Sequence, residues 1–295
     1  MELRNVITFI TAAELGSFSG AAEKLGYAQS TITMQIRQLE EELGNPLFDR
    51  VNHSISLTTY GEQFLLLARQ MNNTMLEMKS LGQSPETVTG HLRIGLVESI
   101  LYSDFLKIIP GFREAFPHVL LELQTASSKE LADLLLENKV DLILCLADPY
   151  QDPRIRVVFS RTEPLIFTAD ADHPFPEGNI IPIEKLAEEH FILTESISIY
   201  HQKLEELFRT RGLKLRQAVQ IKNTRGVIEL LKRIGGISYL PSYTVRRNIE
   251  SGRLKVIETD VPAGEVTVIA AVLKDRWQSP QLLEFIRRVR EEEWL

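Results

Sequence analysis

The first 44 residues carry three helical periods, each stopped by a glycine, and this punctuation constrains the fold more than anything else in the 295-residue chain. Leu3, Val6, Ile10 and Ala13 recur at helical spacing before Gly16. Ser19 is placed to cap a second helix whose Ala21, Ala22 and Leu25 form a small packing face closed by Gly26. A third helix spans about 29–43 and stops at Gly44 and Pro46. Its apolar residues Ile32, Ile36, Leu39 and Leu43 make one stripe. The opposite face carries Ser30, Thr33, Met34 and Arg37, with Gln29 at the first turn. Two helices joined by a short Gly-containing turn form the motif that lays its second helix in the DNA major groove.

Gln29 suits the bidentate adenine edge, and Thr33 and Arg37 suit bases or phosphates, although simple solvation also produces a polar face. The next segment narrows the choice. Leu47-Phe48-Asp49-Arg50 leads into a short hairpin over 51–57 with Asn52-His53 at its turn. Such a wing reaches the flanking backbone or minor groove, and Arg50 is its natural cation. The segments AAELGSFSGAAEKLG, QIRQLEEELGNPLFDR and LTTYGE closely resemble the signature of the LysR-type family. That resemblance implies that Gln29, Ser30, Thr33 and Met34 face DNA. The candidate DNA contacts are therefore Gln29, Ser30, Thr31, Thr33, Met34 and Arg37, with Arg50, Asn52 and His53 in the wing. Two residues depart from the family pattern. Ala28 stands where a capping Ser is frequent, and Met34 replaces a frequent basic residue with an apolar one that suits a thymine methyl.

Charge argues the other way. The chain carries a net −7, and Arg4, Lys24, Arg37 and Arg50 face seven acids within residues 1–58, leaving −3. Few phosphates are then neutralised per subunit, so tight binding requires several subunits together.

Thr59-Tyr60-Gly61-Glu62 fits a capping box opening a helix to about residue 81, roughly 35 Å long. Phe64, Ala68, Met71, Met75 and Met78 are spaced 4-3-4-3, the pattern of a coiled-coil seam. A helix this long, between a small domain and a Gly-Gln-Ser-Pro linker at 82–85, has little intrachain core within reach and reads as a dimer helix. The resemblance implies antiparallel pairing there, two such dimers forming a tetramer, and RNA polymerase as a further partner.

From Gly90 onward strands and helices alternate: strands at 91–96, 119–124 and 140–146, with helices at 100–116 and 129–137, give a parallel βαβαβ unit. A second unit follows, with strands at 165–167, 191–193, 218–222 and 237–241 and helices at 200–211 and 224–235. Strand 266–273 and helix 280–293 return to the first lobe. The fold class expected is thus α/β multidomain: a winged helix-turn-helix (1–58), a linker helix and hinge (59–88), and a two-lobed effector domain (89–295). Lobe 1 covers about 89–161 and 266–295, and lobe 2 about 162–265. The resemblance extends to this part, whose fold is similar to periplasmic binding proteins. Ligands of open α/β lobes sit at the carboxyl ends of strands, facing helix N-termini. The expected effector residues are accordingly Glu98, Ser99, Ile100, Ser127, Ser128, Leu146, Thr194, Glu195, Asn223 and Thr224. Each hydroxyl alone is equally a helix cap. Together they suit a small organic anion, and Glu98 and Glu195 add a place for an amine, as in an amino-acid-like ligand.

Phosphate-loop, dinucleotide and nucleophile-elbow motifs are absent from the sequence, and the six histidines lack metal-ligand spacing. No catalytic residue, metal or cofactor is expected. Asp170-x-Asp172-His173 reads as a polar turn, Arg287-Arg288-x-Arg290 as a solvated helix face, and Cys145 as an inert core thiol. One cysteine excludes an internal disulfide and, without a signal peptide or an 18-residue apolar run, points to a cytoplasmic protein. The leading expectation is a transcription factor that binds double-stranded DNA and answers to a small-molecule effector. An enzyme built on the α/β lobes and a ligand-independent architectural DNA-binding protein are the competing classes.

Overall fold

A computed structural model describes residues 1–51, 54–80, 87–147, 152–262 and 264–295. The chain separates into two units, residues 1–83 and 84–295.

In the first unit α1 (Leu3–Leu15), α2 (Phe18–Leu25) and α3 (Gln29–Leu43) form a three-helix core, followed by the hairpin β1 (Phe48–Val51) and β2 (Ser54–Leu57) and by α4 (Thr59–Ser80). The expected stripe is buried: Ile32, Ile36 and Leu39 meet Val6, Phe9 and Ala12 of α1 and Ala21 of α2. Gly44 ends α3 with φ +70°, a left-handed turn that an L side chain rarely adopts. Two caps differ from expectation. Ser17 rather than Ser19 caps α2, accepting from the Gly20 amide at 3.1 Å. Thr58 rather than Thr59 caps α4, accepting from the Gly61 amide at 2.9 Å while its hydroxyl donates to the Pro46 carbonyl at 2.8 Å. In both pairs the earlier hydroxyl is the one that reaches an N–H of the first turn. Gly61 allows α4 to approach the wing, since a Cβ there would collide with the carbonyl of Leu47.

The second unit is built from β3 (Gly90–Leu96), α5 (Ile108–Ala115), β4 (Val119–Thr125), α6 (Ser128–Leu136) and β5 (Leu142–Leu146), then β6 (Ile155–Asp170). It continues with α7 (Ile183–Leu186), β7 (Phe191–Leu193), α8 (Ile199–Thr210), β8 (Gln217–Gln220), α9 (Thr224–Ile234) and β9 (Ile237–Pro241). Last come α10 (Ser242–Glu250), β10 (Leu254–Ile257), β11 (Glu265–Leu273) and α11 (Pro280–Glu291). Among the described residues the sheet runs β4-β3-β5-β11-β6-β9-β7-β8, with β10 also pairing β6. β3 lies parallel to β4 and β5, and β7 parallel to β8 and β9, so each lobe keeps a parallel core.

The antiparallel strands β6 and β11 join the lobes. β6 pairs with β11 through Pro164 and with β9 from Leu165 onward. Pro164 cannot donate to a ladder and stands where β6 changes partner. A short strand was expected at 165–167; the observed strand is 16 residues long and serves both lobes. The helix expected over 100–116 is two 3₁₀ turns, Glu98–Tyr102 and Asp104–Lys107, followed by α5. Ser103 makes the break: its hydroxyl donates to the Ile100 carbonyl and accepts from the Phe105 amide.

Buried Asp141 ties lobe 1 together by meeting Arg93 at 3.0 Å and Arg276 at 2.7 Å. Burial opposes its charge, but the two guanidiniums outweigh it and hold the carboxyl below its usual range. Cys145 is fully buried in the core, and burial pushes its thiol up to about 12. The arginine run of α11 lies on an exposed face, as expected, with Arg287 paired to Glu291 and Arg288, half-buried, to Glu292. Arg287 and Arg288 both pair with Glu284, and Arg290 donates to the Val158 carbonyl at 2.7 Å.

Candidate functional site

In the first unit, α3 is braced from behind. Buried Gln35 accepts the Thr8 hydroxyl of α1 at 2.7 Å. Gln29, Ser30, Met34 and Arg37 are thereby left exposed on the opposite side, Met34 at 53%. Thr31 and Thr33 are half-buried, and the Thr33 hydroxyl donates to the Gln29 carbonyl at 3.1 Å, a bond within the helix. Ala28 provides no side-chain cap and the first turn holds no acid, so the N–H groups of Gln29 and Ser30 stay available for an anion, while that of Thr31 donates to the Ala28 carbonyl at 2.9 Å. Arg37 donates to Glu41 one turn on, at 2.8 Å with both side chains well exposed.

The wing is fixed at its base. One carboxylate oxygen of Glu40 accepts the amides of Leu47 at 2.8 Å and Phe48 at 3.2 Å. The Phe48 ring packs 5.3 Å from both Phe9 and Phe18. β1 and β2 pair antiparallel from Phe48 opposite Leu57 to Val51 opposite Ser54. Asn52 and His53 lie outside the described residues, as does the side chain of Arg50. No sequence pattern distinguished Glu40 from its acidic neighbours; its spacing from the Leu47-Phe48 pair is the signal that could have.

The seam expected on α4 is partly used by its own unit. Phe64 packs edge-on against Phe9 at 5.1 Å, Ala68 is buried, and Met71 lies against the same core. The expectation that this helix has little intrachain core in reach is therefore corrected. Farther along, Met75 is half-buried and Met78 is 61% exposed, as is Leu67 at 62%.

In the second unit the strand ends bring together four of the ten expected effector residues. Glu98 accepts the Tyr102 hydroxyl at 2.6 Å on one oxygen and the Thr224 amide at 3.1 Å on the other, joining lobe 1 to the start of α9. Ser99 shares a buried 3.0 Å hydrogen bond with Tyr243 of lobe 2. Tyr200 is buried at the start of α8, its phenol close to the hydroxyls of Thr224 and Thr194. Burial pushes the Tyr200 and Tyr243 phenols up, and burial together with Glu98 pushes Tyr102 up to about 12. All three tyrosines therefore act as neutral hydrogen-bonding groups at physiological pH.

The other six are placed differently. Ile100 and Leu146 are buried in the apolar core, where neither side chain offers a polar contact. Ser127 closes a capping box with Glu130, and Ser128 is the first residue of α6. Asn223 caps α9 through the Gly226 amide. Glu195 stands 3.9 Å from Lys222. The sequence reading missed Tyr102, Tyr200 and Tyr243. Tyr200 and Tyr243 follow the ends of β7 and β9, the same kind of position that singled out the serines and threonines. A separate cavity of about 590 Å³ opens beside this cluster, and its lining includes none of the ten expected residues.

Residues 3–62 match the family described as "Bacterial regulatory helix-turn-helix protein, lysR family", and residues 85–294 match the LysR substrate binding domain. The HTH-type transcriptional regulator YwqM of Bacillus subtilis strain 168 is 33% identical over 289 residues, covering 97% of each chain. A full-length OxyR variant from Pseudomonas aeruginosa superposes with a TM-score of 0.77 at 22% identity, covering 99% of this chain and 96% of that one. Full-length CbnR, solved with its target DNA, superposes with a TM-score of 0.64 at 21% identity, covering 98% and 99%.

Proposed function

This chain belongs to the LysR family of bacterial helix-turn-helix transcription regulators, and from that premise we propose which of its residues meet DNA and effector. It is a DNA-binding transcription factor under effector control, not an enzyme. The observation that carries the DNA assignment is the exposed face of α3, braced from behind by the Thr8–Gln35 bond and flanked by an anchored wing. Gln29, Ser30, Thr33, Met34 and Arg37 contact the major groove; Arg50, Asn52 and His53 reach the flanking backbone. Thr31, half-buried like Thr33, lies beside these contacts in the first turn of α3. CbnR, of the same fold, has been solved in complex with its target DNA, which supports DNA as the partner of this unit.

Two chains pair through the distal part of α4, where Met75, Met78 and Leu67 remain outside the unit's own core, and two pairs form a tetramer. The protein works in the cytoplasm with RNA polymerase as a partner. The effector sits where Glu98, Ser99, Thr194 and Thr224 meet Tyr102, Tyr200 and Tyr243. Glu98 already supplies a carboxylate at the start of α9. The ligand therefore directs an amine or hydroxyl donor toward Glu98, as an amino-acid-like molecule does. Binding shifts the lobes only to the extent that the ligand prefers one arrangement.

The test is a salt-titrated gel shift on random genomic fragments, with sequencing of what the protein retains. Enrichment of an inverted repeat, lost in the Gln29→Ala/Thr33→Ala/Arg37→Ala variant, supports the assignment. Retention unchanged in that variant refutes it.

A further inference from the structure

The cavity beside the effector cluster has walls from both lobes. The 3₁₀ turns and the start of α5 form one wall, and α9, α10 and the turn before β10 form the other. Lys107, Arg225, Lys232, Arg247 and Arg253 face it against two acids, Asp104 and Glu229, an excess of three positive charges in a chain of net −7. Asp104 is shared by Lys107 and Arg247, and Glu229 lies 3.6 Å from Lys232. Arg225 and Arg253 form no ion pair among the described residues. Leu101, Pro110 and Ile228 supply an apolar floor.

We propose that this groove is a second ligand site, taking a small molecule that carries a phosphoryl or similarly multivalent anionic group on a short apolar body. Two unpaired guanidiniums present planar donor forks matched to phosphate oxygens. The apolar floor takes the body of the ligand. Arg247 and Lys107 are drawn from Asp104 toward the anion, so the groove grips both lobes at once. It is also linked to the effector cluster. Tyr102 lines the groove while its hydroxyl donates to Glu98, and Arg225 follows Thr224, whose amide holds the other Glu98 oxygen. An anion in the groove therefore biases the lobe arrangement that the effector reads, and the coupling is reciprocal.

The experiment is isothermal titration of the full chain with pyrophosphate at constant ionic strength and without divalent metal. The expected result is saturable binding at one site per chain. Arg225→Ala/Arg253→Ala should weaken it at least about tenfold, because each charge-assisted contact contributes about as much as a decade of affinity. Both side chains are exposed, and far-UV circular dichroism checks that the variant folds. The control Lys214→Ala/Lys274→Ala removes the same charge elsewhere and should leave the affinity within about twofold. Absence of saturation at millimolar pyrophosphate, or equal losses in the two variants, overturns the proposal. A non-specific DNA duplex provides the last arm. If the arginine variant weakens DNA binding as much as pyrophosphate binding, the groove contacts a nucleic-acid backbone and the small-anion assignment fails.

Discussion

Glu40 is the residue on which the wing's position depends, and replacing it offers a test in which the two units report separately. One of its oxygens accepts two amides, from Leu47 and Phe48, at 2.8 and 3.2 Å. A hydrogen bond to a charged acceptor contributes about 1.5–3 kcal/mol, and Glu40 is half-buried, so the lower end applies. Glu40→Ala leaves two amides without their acceptor and should cost the first unit about 2–3 kcal/mol. Glu40→Gln keeps an acceptor oxygen without the charge and should cost about 1 kcal/mol. The assay is urea unfolding of the full chain followed by two signals. Both tryptophans, Trp277 and Trp294, belong to the second unit, so their fluorescence is blind to the first, whereas far-UV circular dichroism sees both. Glu40→Ala should move the helical transition of the first unit down by about 1–2 M urea and leave the tryptophan transition in place. DNA affinity should fall with it, since a wing freed at its base no longer stands beside α3. A change below about 0.5 kcal/mol, or a parallel shift of the tryptophan signal, would refute this account of Glu40.

Four further outcomes follow from the same geometry. Glu41→Gln releases Arg37 from an exposed pair worth about 0.5 kcal/mol or less; DNA affinity should rise several-fold, with a steeper salt dependence by up to about 0.9 per added phosphate contact. An unchanged salt slope would mean that Arg37 does not meet a phosphate. Asp141→Asn leaves Arg93 and Arg276 without their shared carboxylate and should destabilise the second unit by about 3–5 kcal/mol in thermal unfolding. The folded-state pKa of Asp141 lies below its ordinary value, so its contribution is complete above about pH 4 and is lost as pH falls toward the folded value. The Asn variant should therefore show a flatter stability profile below that pH. Gly61→Ala gains about 1 kcal/mol of helix propensity but drives a methyl into the Leu47 carbonyl, so calorimetry should show net destabilisation; a rise in Tm would contradict the close approach. Ser99→Ala and Tyr243→Phe each strand one buried hydroxyl at about 1–3 kcal/mol, whereas the double variant strands none, so a double-mutant cycle should show clear coupling.

Much of the first unit was legible because its signals are local. A glycine stop, a four-three-four apolar stripe and a polar opposite face all lie within one helix, so α3 could be bounded as 29–43 and is observed there. Ambiguity arose where two hydroxyl residues lie close together. Ser17 and Ser19, and likewise Thr58 and Thr59, fit the same cap pattern, and backbone geometry alone settles which one reaches an amide. The 3₁₀ break at Ser103 was hidden because apolar spacing continues across it from Ile100 to Ile108. Only 165–167 of β6 was expected as a strand, and in the sheet Pro164 marks the change of partner from β11 to β9. In the proposed effector cluster, strand-end position singled out Glu98, Ser99, Thr194 and Thr224, which the fold brings together. The tyrosines that connect them remained hidden, since Ser99 and Tyr243 are 144 residues apart and no local pattern expresses that pairing.

The acidic balance of the first 58 residues then has a physical resolution. A formal charge matters to DNA only where its field reaches, about one Debye length of 8–10 Å at moderate salt. Glu40 is turned inward onto the wing amides, Glu41 is paired with Arg37, and Glu14 lies 3.6 Å from Arg69. The first turn of α3 carries no acid at all. Its leading face is therefore close to neutral, with open N–H groups, while the formal count is negative. Such a face gains little from non-specific phosphate attraction, so few cations per subunit also means little binding to arbitrary sequence. Under the proposed assignment, direct contacts by Gln29 and Met34 would then carry a larger share of the affinity, and holding two such faces at fixed spacing in the proposed dimer would multiply a discrimination that one face supplies weakly.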